Sequence, residues 1–308
     1  MEETVNCSVY ETVRTGGDGK GSGTVKPEDM ALLQERLFEI LEYFDEFCME
    51  NGISYSLAGG TCIGAVRDHD FIPWDDDLDV AVLRKDYDRL FDLWEKKGDK
   101  ERFSLYRTTD SFCAYVPIGI MRNNRTTFIR HFEAGLEDRN LGVKIDIEPM
   151  DEIPDNPLKR KIQFYFAHFY VLFLTERNAS VINRPRKRVA MHVLKLVKSR
   201  KLRRLILKVS EKQVKKYNGT GCKKVAINGL GFERYRSDIA EPTRMLFHGK
   251  YFNVPAAYDD FLKRGYGDYM SKPPVEKRVP RDVPEYYDLN TPYSEYLAQK
   301  KKCDPACK

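Results

Sequence analysis

Residues 73–83 read PWDDDLDVAVL, which is an acidic run followed by an apolar strand pattern. Three aspartates stand together at 75–77, and Asp79 follows just before an apolar run. A β-strand alternates its side chains between two faces, so Asp75, Asp77 and Asp79 are predicted to share one face. The other face is predicted to enter the core through three apolar side chains, Leu78, Val80 and Val82.

The chemistry of this stretch is that of a cation site. Neighbouring carboxylates repel one another, and a folded chain concentrates them mainly to hold a hard divalent cation, which takes oxygen ligands. Asp77 and Asp79 have the D-x-D spacing that phosphoryl- and nucleotidyl-transferring enzymes use to seat metal ions. The sequence therefore predicts Mg²⁺ or Mn²⁺ at Asp77 and Asp79, with a solvated acidic turn as the alternative.

A glycine turn precedes the acidic stretch. Ile53, Tyr55 and Leu57 alternate and predict a short strand that runs into Gly59-Gly60, and a short helix is predicted to follow at 61–67. Backbone N–H groups at the start of a helix bind phosphate, and glycine lets a ligand approach the backbone closely. The turn is therefore predicted to hold phosphate beside the metal.

The run 59–90, GGTCIGAVRDHDFIPWDDDLDVAVLRKDYDRL, resembles the LicD family of phosphotransferases. That family includes bacterial phosphocholine transferases and is related to the fukutin-type sugar-phosphate transferases. The similarity extends over residues 29–86 and resumes in VKIDIEPMD at 143–151. It appears again in GKYFNVP at 249–255 and in YGDYM at 266–270.

This resemblance implies a fold and a reaction. The fold is α+β, with a small mixed sheet of the nucleotidyltransferase (polymerase β) type flanked by helices, and a helical second half. The reaction is transfer of an alcohol phosphate from a CDP-linked donor to a glycan hydroxyl, as in the decoration of cell-surface polysaccharide, teichoic acid or lipopolysaccharide. CDP-choline is the default donor, although ethanolamine, glycerol or ribitol phosphate would need the same site. The acceptor is expected to be a glycan or a lipid-linked glycan.

The resemblance also carries the metal-binding and catalytic residues. Asp77 and Asp79 are expected to bridge two ions, which can hold the attacking and leaving oxygens of the transferred phosphate. Asp146 is expected to complete the site and to activate the acceptor hydroxyl. Because Val143, Ile145 and Ile147 alternate with polar residues, Asp146 is predicted on the polar face of a half-buried strand beside the acidic one. Glu148 shares that face and is the alternative third carboxylate.

The predicted substrate-binding residues are Gly59, Gly60, Thr61, Arg67, Trp74 and Lys144. Residues 59–61 are expected to hold the donor diphosphate. Arg67 pairs either with a phosphate or with the acidic turn. Trp74 either forms a wall of the site or stacks on a nucleobase or a quaternary ammonium. Lys144 is interpreted as a phosphate contact, with an exposed lysine that has no partner as the alternative.

Two rival functions stay open at this point. The first is a nucleotidyltransferase that makes an activated CDP-alcohol or sugar donor and releases pyrophosphate. The second is a non-catalytic binding protein of the same fold. The glycine turn together with Asp77, Asp79 and Asp146 favours an enzyme, because adjacent carboxylates repel one another without a metal.

Periodicity indicates the remaining organisation. Helices are predicted at 27–51, 85–97, 158–177, 186–218 and 257–264, strands at 103–107, 115–121 and 126–129, and a hairpin around His248-Gly249-Lys250. We divide the chain into a disordered lead-in at 1–26, one catalytic domain at 27–275 with a helical basic insertion at 158–218, and a C-terminal tail at 276–308.

Composition limits the class of protein. The chain has 308 residues of which 42% are hydrophobic, enough for a sizeable core. Its seven cysteines are odd in number and scattered without zinc-ribbon spacing, which is typical of reduced thiols. Residues 1–26 are polar and lack the apolar core of a signal peptide. We therefore expect a cytoplasmic protein.

A basic stretch follows an apolar one in the second half. Residues 184–216 contain fourteen Lys or Arg and one acid, Glu211. Before them, 162–174 read IQFYFAHFYVLFL, which is too short to cross a bilayer. Either these are a buried core helix and a solvated basic helix, or they dock on the inner face of an anionic membrane. Nucleic acid is not expected as a partner, since no recognition motif accompanies the charge.

Overall fold

A mixed sheet of seven strands forms the centre of the computed structural model, which describes residues 24–174 and 197–303. The strands of the described residues are β1 Tyr55–Leu57, β2 Asp79–Leu83, β3 Phe103–Tyr106, β4 Gly119–Asn123, β5 Thr127–Arg130, β6 Lys144–Ile153, β7 Lys224–Ile227, β8 Leu230–Tyr235, β9 Pro242–Phe247, β10 Lys250–Pro255 and β11 Pro284–Asp288.

The sheet is built around β6. Its strand order is β1-β2-β6-β4-β3, and β7 pairs with the far half of β6 and with β8. Only the β2–β6 pair of this sheet is parallel. Two smaller sheets, β9–β10 and β5–β11, lie beside it. The predicted α+β class with a mixed sheet is confirmed, whereas the predicted helical second half is wrong, because β7 to β11 lie there.

The helices pack on and beside this sheet. In the described residues they are α1 Met30–Glu50, α2 Gly59–Ile63, α3 Arg84–Lys97, α4 Pro157–Leu174, α5 Arg200–Val214, α6 Ser237–Ala240, α7 Tyr258–Tyr266 and α8 Tyr293–Cys303. A π-helical turn, Gly64–Asp68, continues α2. Short 3₁₀ turns are Pro27–Asp29, His131–Glu133, Lys215–Tyr217 and Val275–Lys277.

Helix α1 supplies much of the core, as its periodicity predicts. Buried apolar side chains recur along it at steps of three and four residues: Met30, Leu33, Leu37, Ile40, Leu41, Phe44 and Cys48. They pack in one cluster with β1, β2, β6 and the β9–β10 hairpin. Burial of a leucine or phenylalanine side chain contributes roughly 1.5–3 kcal/mol, so this helix fixes the first half of the domain against the sheet.

The prediction of a half-buried β6 is wrong, because all ten of its residues are buried. One face packs into the main core through Ile145 and Ile147. The other face is covered by segments far away in sequence, since Arg234 pairs with Glu148 and the Asp282 carboxyl interacts electrostatically with Lys144 and Asp146. The sequence of β6 carries no sign of these neighbours.

Of the two interpretations of 162–174, that of a buried core helix holds only in part. In α4 the side chains of Ile162, Phe164, Tyr165 and Phe169 are exposed, although each is apolar or aromatic. The buried face instead contains Gln163, Ala167, Val171 and Leu174. Gln163 reaches this face because its amide donates to two backbone carbonyls, those of Glu152 and Val214.

The helix predicted at 186–218 is shorter where the structure describes it. Residues 186–196 lie outside the described residues, and 197–199 are irregular. Helix α5 begins at Arg200, because the Ser199 hydroxyl accepts from the backbone N–H of Leu202 and caps it. The 158–177 helix likewise is described only as far as Leu174.

The sequence assigns the two ends of the chain to a lead-in and a tail. Most of the lead-in, 1–23, lies outside the described residues. The segment assigned to a tail contributes β11, which pairs with β5, and α8, which packs on it through Tyr293. The domain boundaries at 27, 275 and 308 stay predictions.

Candidate active site

A cleft of about 930 Å³ opens above the junction of β2 and β6. Its walls include four parts of the chain: the glycine turn at 59–60, the acidic stretch at 74–79, Asp146 and Glu148 of β6, and the segment 279–283 before β11. The four parts are distant in sequence, and the sheet brings them together.

Strand register places two of the predicted carboxylates opposite each other. Asp79 is the first residue of β2, and its partner in the parallel pair with β6 is Asp146. The backbone N–H of Asp146 donates to Leu78 O at 2.8 Å. Both side chains are buried and both line the cleft. The prediction that Asp146 neighbours the acidic strand is confirmed.

The acidic stretch itself is only partly a strand. Strand β2 starts at Asp79, so Asp75 and Asp77 lie in the irregular segment before it, and the predicted strand alternation does not apply to them. Pro73 lacks a backbone N–H, which disfavours strand pairing at the start of this segment. The alternating core positions are nevertheless correct, since Leu78, Val80 and Val82 are buried.

Asp75, Asp76 and Asp77 form a tight carboxylate group. One oxygen from each lies within 4.8 Å of the others. Burial, followed by the charges of Asp77 and Asp79, raises the pKa of Asp75 well above its usual range. Burial and Asp282 raise the pKa of Asp76 to about 7, against two backbone hydrogen bonds that lower it. A cluster of oxygen donors that resist ionisation together fits a divalent cation.

Asp76 also anchors the last wall of the cleft. Its two carboxylate oxygens accept from the backbone N–H groups of Arg281 and Asp282, at 3.0 and 2.8 Å. Asp76 is therefore turned toward the 279–283 segment, which it ties to the acidic stretch. No local pattern indicates this contact, because the two segments lie about two hundred residues apart.

The two glycines make room for carboxylates. A Cβ on Gly59 would lie 2.6 Å from Asp79 Oδ2, and a Cβ on Gly60 would lie 2.4 Å from Asp75 Oδ2. Gly59 also has a φ of +57°, which side chains with a Cβ rarely adopt. Sequence reasoning assigned both glycines to phosphate alone, yet both are needed to let the aspartates approach the backbone.

Thr61 lies beneath the cleft. Its side chain is buried, and its hydroxyl accepts from the backbone N–H of Asp79 at 3.0 Å. This bond joins α2 to the first residue of β2. Thr61 is not among the residues that line the cleft, so the structure gives it a supporting position.

Lys144 and Glu148 lie on the polar face of β6, and each has an ion-pair partner. Lys144 Nζ donates to both carboxylate oxygens of Asp146 at 2.8 Å, and both side chains are buried. The alternative of an exposed lysine without a partner is thereby wrong. Glu148 Oε2 lies 3.1 Å from Arg234 Nη2. The carboxylates of Asp146 and Glu148 both line the cleft, and each forms an ion pair, with Lys144 and Arg234 respectively.

Arg67 and Trp74 both reach the cleft wall. The Arg67 guanidinium donates to Asp68 and to the backbone carbonyl of Tyr269, so it does not pair with the acidic turn. Trp74 is half-buried, as a wall residue should be, and the Arg278 guanidinium lies 5.5 Å from its ring centre. A cation on this ring is the geometry of a cation–π contact.

Sequence reasoning missed the cations around the aspartates. Besides Arg67, the cleft is lined by Arg130, Arg234, Lys272, Lys277 and Arg281. They come from separate segments, two of them in the predicted tail, and no local motif marks them. Their positive charge in the same cleft as the aspartates suits a phosphate-bearing ligand.

Comparison with known proteins agrees with the resemblance seen in the sequence. Residues 52–135 match the family model described as "LicD/FKTN/FKRP, nucleotidyltransferase domain". The chain is 28% identical over 266 residues to the lipopolysaccharide cholinephosphotransferase LicD of Haemophilus influenzae, covering 81% of this chain and 94% of that protein. Uncharacterized proteins of Rickettsia prowazekii and Rickettsia typhi are 38% identical over 50 residues, which is 16% of this chain and 19% or 16% of theirs.

Proposed function

For a chain that carries a LicD-family domain, we propose metal-dependent transfer of phosphocholine from CDP-choline to a hydroxyl of a glycan, with release of CMP. The observation that carries this proposal is one cleft lined by several aspartates and also by arginines and lysines. Such a cleft suits a diphosphate with divalent cations. The named cholinephosphotransferase of Haemophilus influenzae, similar along nearly its whole length, supports the choice of phosphocholine.

We assign the cation to Asp77, Asp79 and Asp146; Asp75 lies beside Asp77 in the tight carboxylate group. A divalent cation there would neutralise charge on the phosphate oxygens during transfer. The residues fit such an ion because they offer only carboxylate oxygens, and because crowding disfavours full ionisation of the cluster without it. Gly59 is what allows the Asp79 carboxylate to lie against the turn.

The side chains of this chain then have separate tasks. Asp146 takes the proton of the acceptor hydroxyl, and Lys144 fixes its carboxylate by donating to both oxygens. Arg130 and Arg281, which line the same cleft, bind the donor phosphates. Trp74, already beside one guanidinium, offers an aromatic face to the quaternary ammonium of choline.

The proposal includes the fold type and the setting of the reaction. We infer that the sheet around β2 and β6 is of the nucleotidyltransferase (polymerase β) type, in agreement with the description of the matched family model. We propose a lipid-linked or lipopolysaccharide-type glycan as acceptor, met at an anionic membrane with which the enzyme makes peripheral contact. None of the helices in the described ranges is long and apolar enough to cross a membrane.

A thermal-shift experiment tests the donor. CDP-choline with Mg²⁺ or Mn²⁺ should raise the melting temperature of the wild type, because a ligand that binds only the folded state stabilises it. CDP-ethanolamine, CDP-glycerol and CDP-ribitol in parallel rank the head groups. Asp77→Asn is the matched control and should lose the metal-dependent part of the shift. A larger shift with another CDP-alcohol would move the proposal to that head group.

Product analysis separates the nucleotidyltransferase alternative. CDP-choline and a glycan acceptor should yield CMP. CTP and phosphocholine should yield no pyrophosphate. Pyrophosphate in the second reaction, with no CMP in the first, would replace the proposal with synthesis of the donor. If CDP-choline binds fully but neither CMP nor pyrophosphate forms, a non-catalytic binding protein would be favoured.

A further inference from the structure

Helices α4 and α5 carry a surface that the proposed reaction does not use. The two helices pack against each other, with Phe173 of α4 against Ile206 and Leu207 of α5. Outside this contact, both helices expose large apolar side chains. We call these the helical-pair surface: Leu158, Ile162, Tyr165 and Phe169 on α4, and Leu202, Leu205 and Val209 on α5.

The exposed side chains of α4 form one stripe. Their positions are separated by four, three and four residues, which places them on one face of an α-helix. Their exposed fractions run from 43% for Phe169 to 69% for Leu158. The opposite face, Gln163, Ala167 and Val171, is buried against the protein. The stripe therefore points away from the core.

Helix α5 repeats the pattern. Leu202, Leu205 and Val209 are separated by three and four residues and are 45%, 58% and 42% exposed. Single exposed apolar side chains are normal, but two stripes on neighbouring helices are not. Such a surface in a folded protein marks a site of contact with a membrane or with another protein.

The charge of the same two helices distinguishes a membrane from a second copy of the protein. The sequence of α4 has three Lys or Arg and that of α5 has six, against a single acid, Glu211. Several of these cations are exposed beside the stripes, among them Lys161, Lys201 and Arg204. A second copy of this surface would bring like charges together, which disfavours association. An anionic lipid surface instead satisfies both the cations and the apolar side chains.

We propose that the helical-pair surface docks on an anionic bilayer, with its apolar stripes at the level of the headgroups and first acyl carbons. Helices with Lys and Arg flanking Leu, Phe and Tyr lie in this way in the plane of the interface. The long cationic side chains reach the lipid phosphates while their stems cover apolar surface. The inference rests on the peripheral membrane contact of the proposed function and names the surface that makes it; it does not depend on the chemistry of the cleft.

Flotation with vesicles tests the proposal. Wild-type protein is mixed with vesicles of equal parts phosphatidylglycerol and phosphatidylcholine, or of phosphatidylcholine alone, at low and high salt. It should float with the anionic vesicles and not with the neutral ones. High salt should weaken binding without abolishing it, because the apolar contacts are not screened.

Two variant pairs separate the contributions. Ile162→Ser with Phe169→Ser should lower the vesicle partition coefficient at least about tenfold, through loss of apolar area. Lys201→Glu with Arg204→Glu should lower it at low salt by a similar factor, and much less at high salt. Reversal of the two exposed cations should leave the unfolding transition unchanged. The unfolding transition of Ile162→Ser with Phe169→Ser is measured beside flotation, because these side chains are only 44% and 43% exposed.

Matched controls lie elsewhere on the surface. Met49→Ser with Tyr251→Ser removes two apolar side chains that are 64% and 60% exposed. Lys85→Glu with Lys96→Glu reverses two exposed cations of α3. Both pairs should float like the wild type. If they lose as much binding as the test pairs, the contact is not specific to the helical-pair surface.

Three results would overturn the proposal. The first is a wild type that stays with the unbound fraction at low salt. The second is unchanged flotation of both Ile162→Ser/Phe169→Ser on α4 and Leu205→Ser/Val209→Ser on α5. The α5 pair is included in case the α4 pair has a folding defect. The third is a wild type that is dimeric in solution and becomes monomeric in the apolar variants, which would give the surface to a second copy of the chain.

Discussion

Substitution of Gly59 by alanine separates backbone strain from the position of a carboxylate. Gly59 has a φ of +57°, and its missing Cβ leaves space that Asp79 Oδ2 occupies. Gly52, at the end of α1, has a φ of +61°, and no atom lies within 4 Å of the point where its Cβ would stand. The same substitution at Gly52 therefore imposes the strain without the clash, and it serves as the matched control.

The magnitudes follow from these distances. Alanine in the left-handed region costs roughly 1–2 kcal/mol, and stiffening of the unfolded chain offsets about 0.4–1 kcal/mol of that cost. Both variants should thus lose about 1 kcal/mol. In Gly59→Ala the contact of 2.6 Å must lengthen to at least 3.4 Å, so the Asp79 carboxylate moves by about 0.8 Å. A shift of about 1 Å in a reacting group can lower turnover ~10²-fold.

The assay is CMP release from CDP-choline with Mg²⁺, beside urea unfolding of both variants. Gly52→Ala should keep wild-type turnover and Gly59→Ala should lose about two orders of magnitude, at similar free energies of unfolding. Equal turnover in the two variants would refute the reasoning that Gly59 exists to let Asp79 reach the metal.

Two further predictions concern buried carboxylates. Asp146→Asn should abolish turnover and keep CDP-choline binding within roughly tenfold, since Asp77 and Asp79 still hold the donor side; loss in Glu148→Gln and not in Asp146→Asn would move the role along β6. Burial alone would raise the pKa of Glu133, but Arg122 and Arg130 lower it from 4.5 to about 2. Its ionised form therefore stabilises the fold by ~3 kcal/mol above about pH 4.5, and this is lost as the pH falls toward 2. Urea unfolding at pH 7 and pH 3 should show that Glu133→Gln is destabilised at pH 7 and less sensitive to acid; an unchanged pH dependence would contradict the assignment.

The sequence could predict those parts of the fold that repeat locally. The spacing of Leu33, Leu37 and Phe44 predicts α1, and the alternation of Val80 and Val82 predicts a buried β2, because both patterns report burial on one face. The hairpin at His248-Gly249 is correct for the same local reason, since both residues have positive φ and form the turn between β9 and β10.

What the sequence could not predict depends on segments that meet only in the fold. The cover over β6 comes from Arg234 and from 279–283, so its polar face looked solvent-exposed. The link from Asp76 to Arg281 joins the acidic stretch to a segment assigned to a tail. Helix α4 looked like core because its composition is apolar, whereas its stripes face outward. Long-range contacts of this kind leave no periodic signal.

Metal-dependent phosphocholine transfer in the aspartate cleft is tested most directly by the rate of CMP formation in wild type and Asp77→Ala, with CDP-choline, lipopolysaccharide as acceptor, and either Mg²⁺ or a chelator. The wild type should require the metal. Asp77→Ala should be at least ~10²-fold slower while its free energy of unfolding is unchanged or raised, because repulsion within the cluster is relieved. Equal rates in the two proteins with Mg²⁺ present, or full wild-type activity in the chelator, would contradict it.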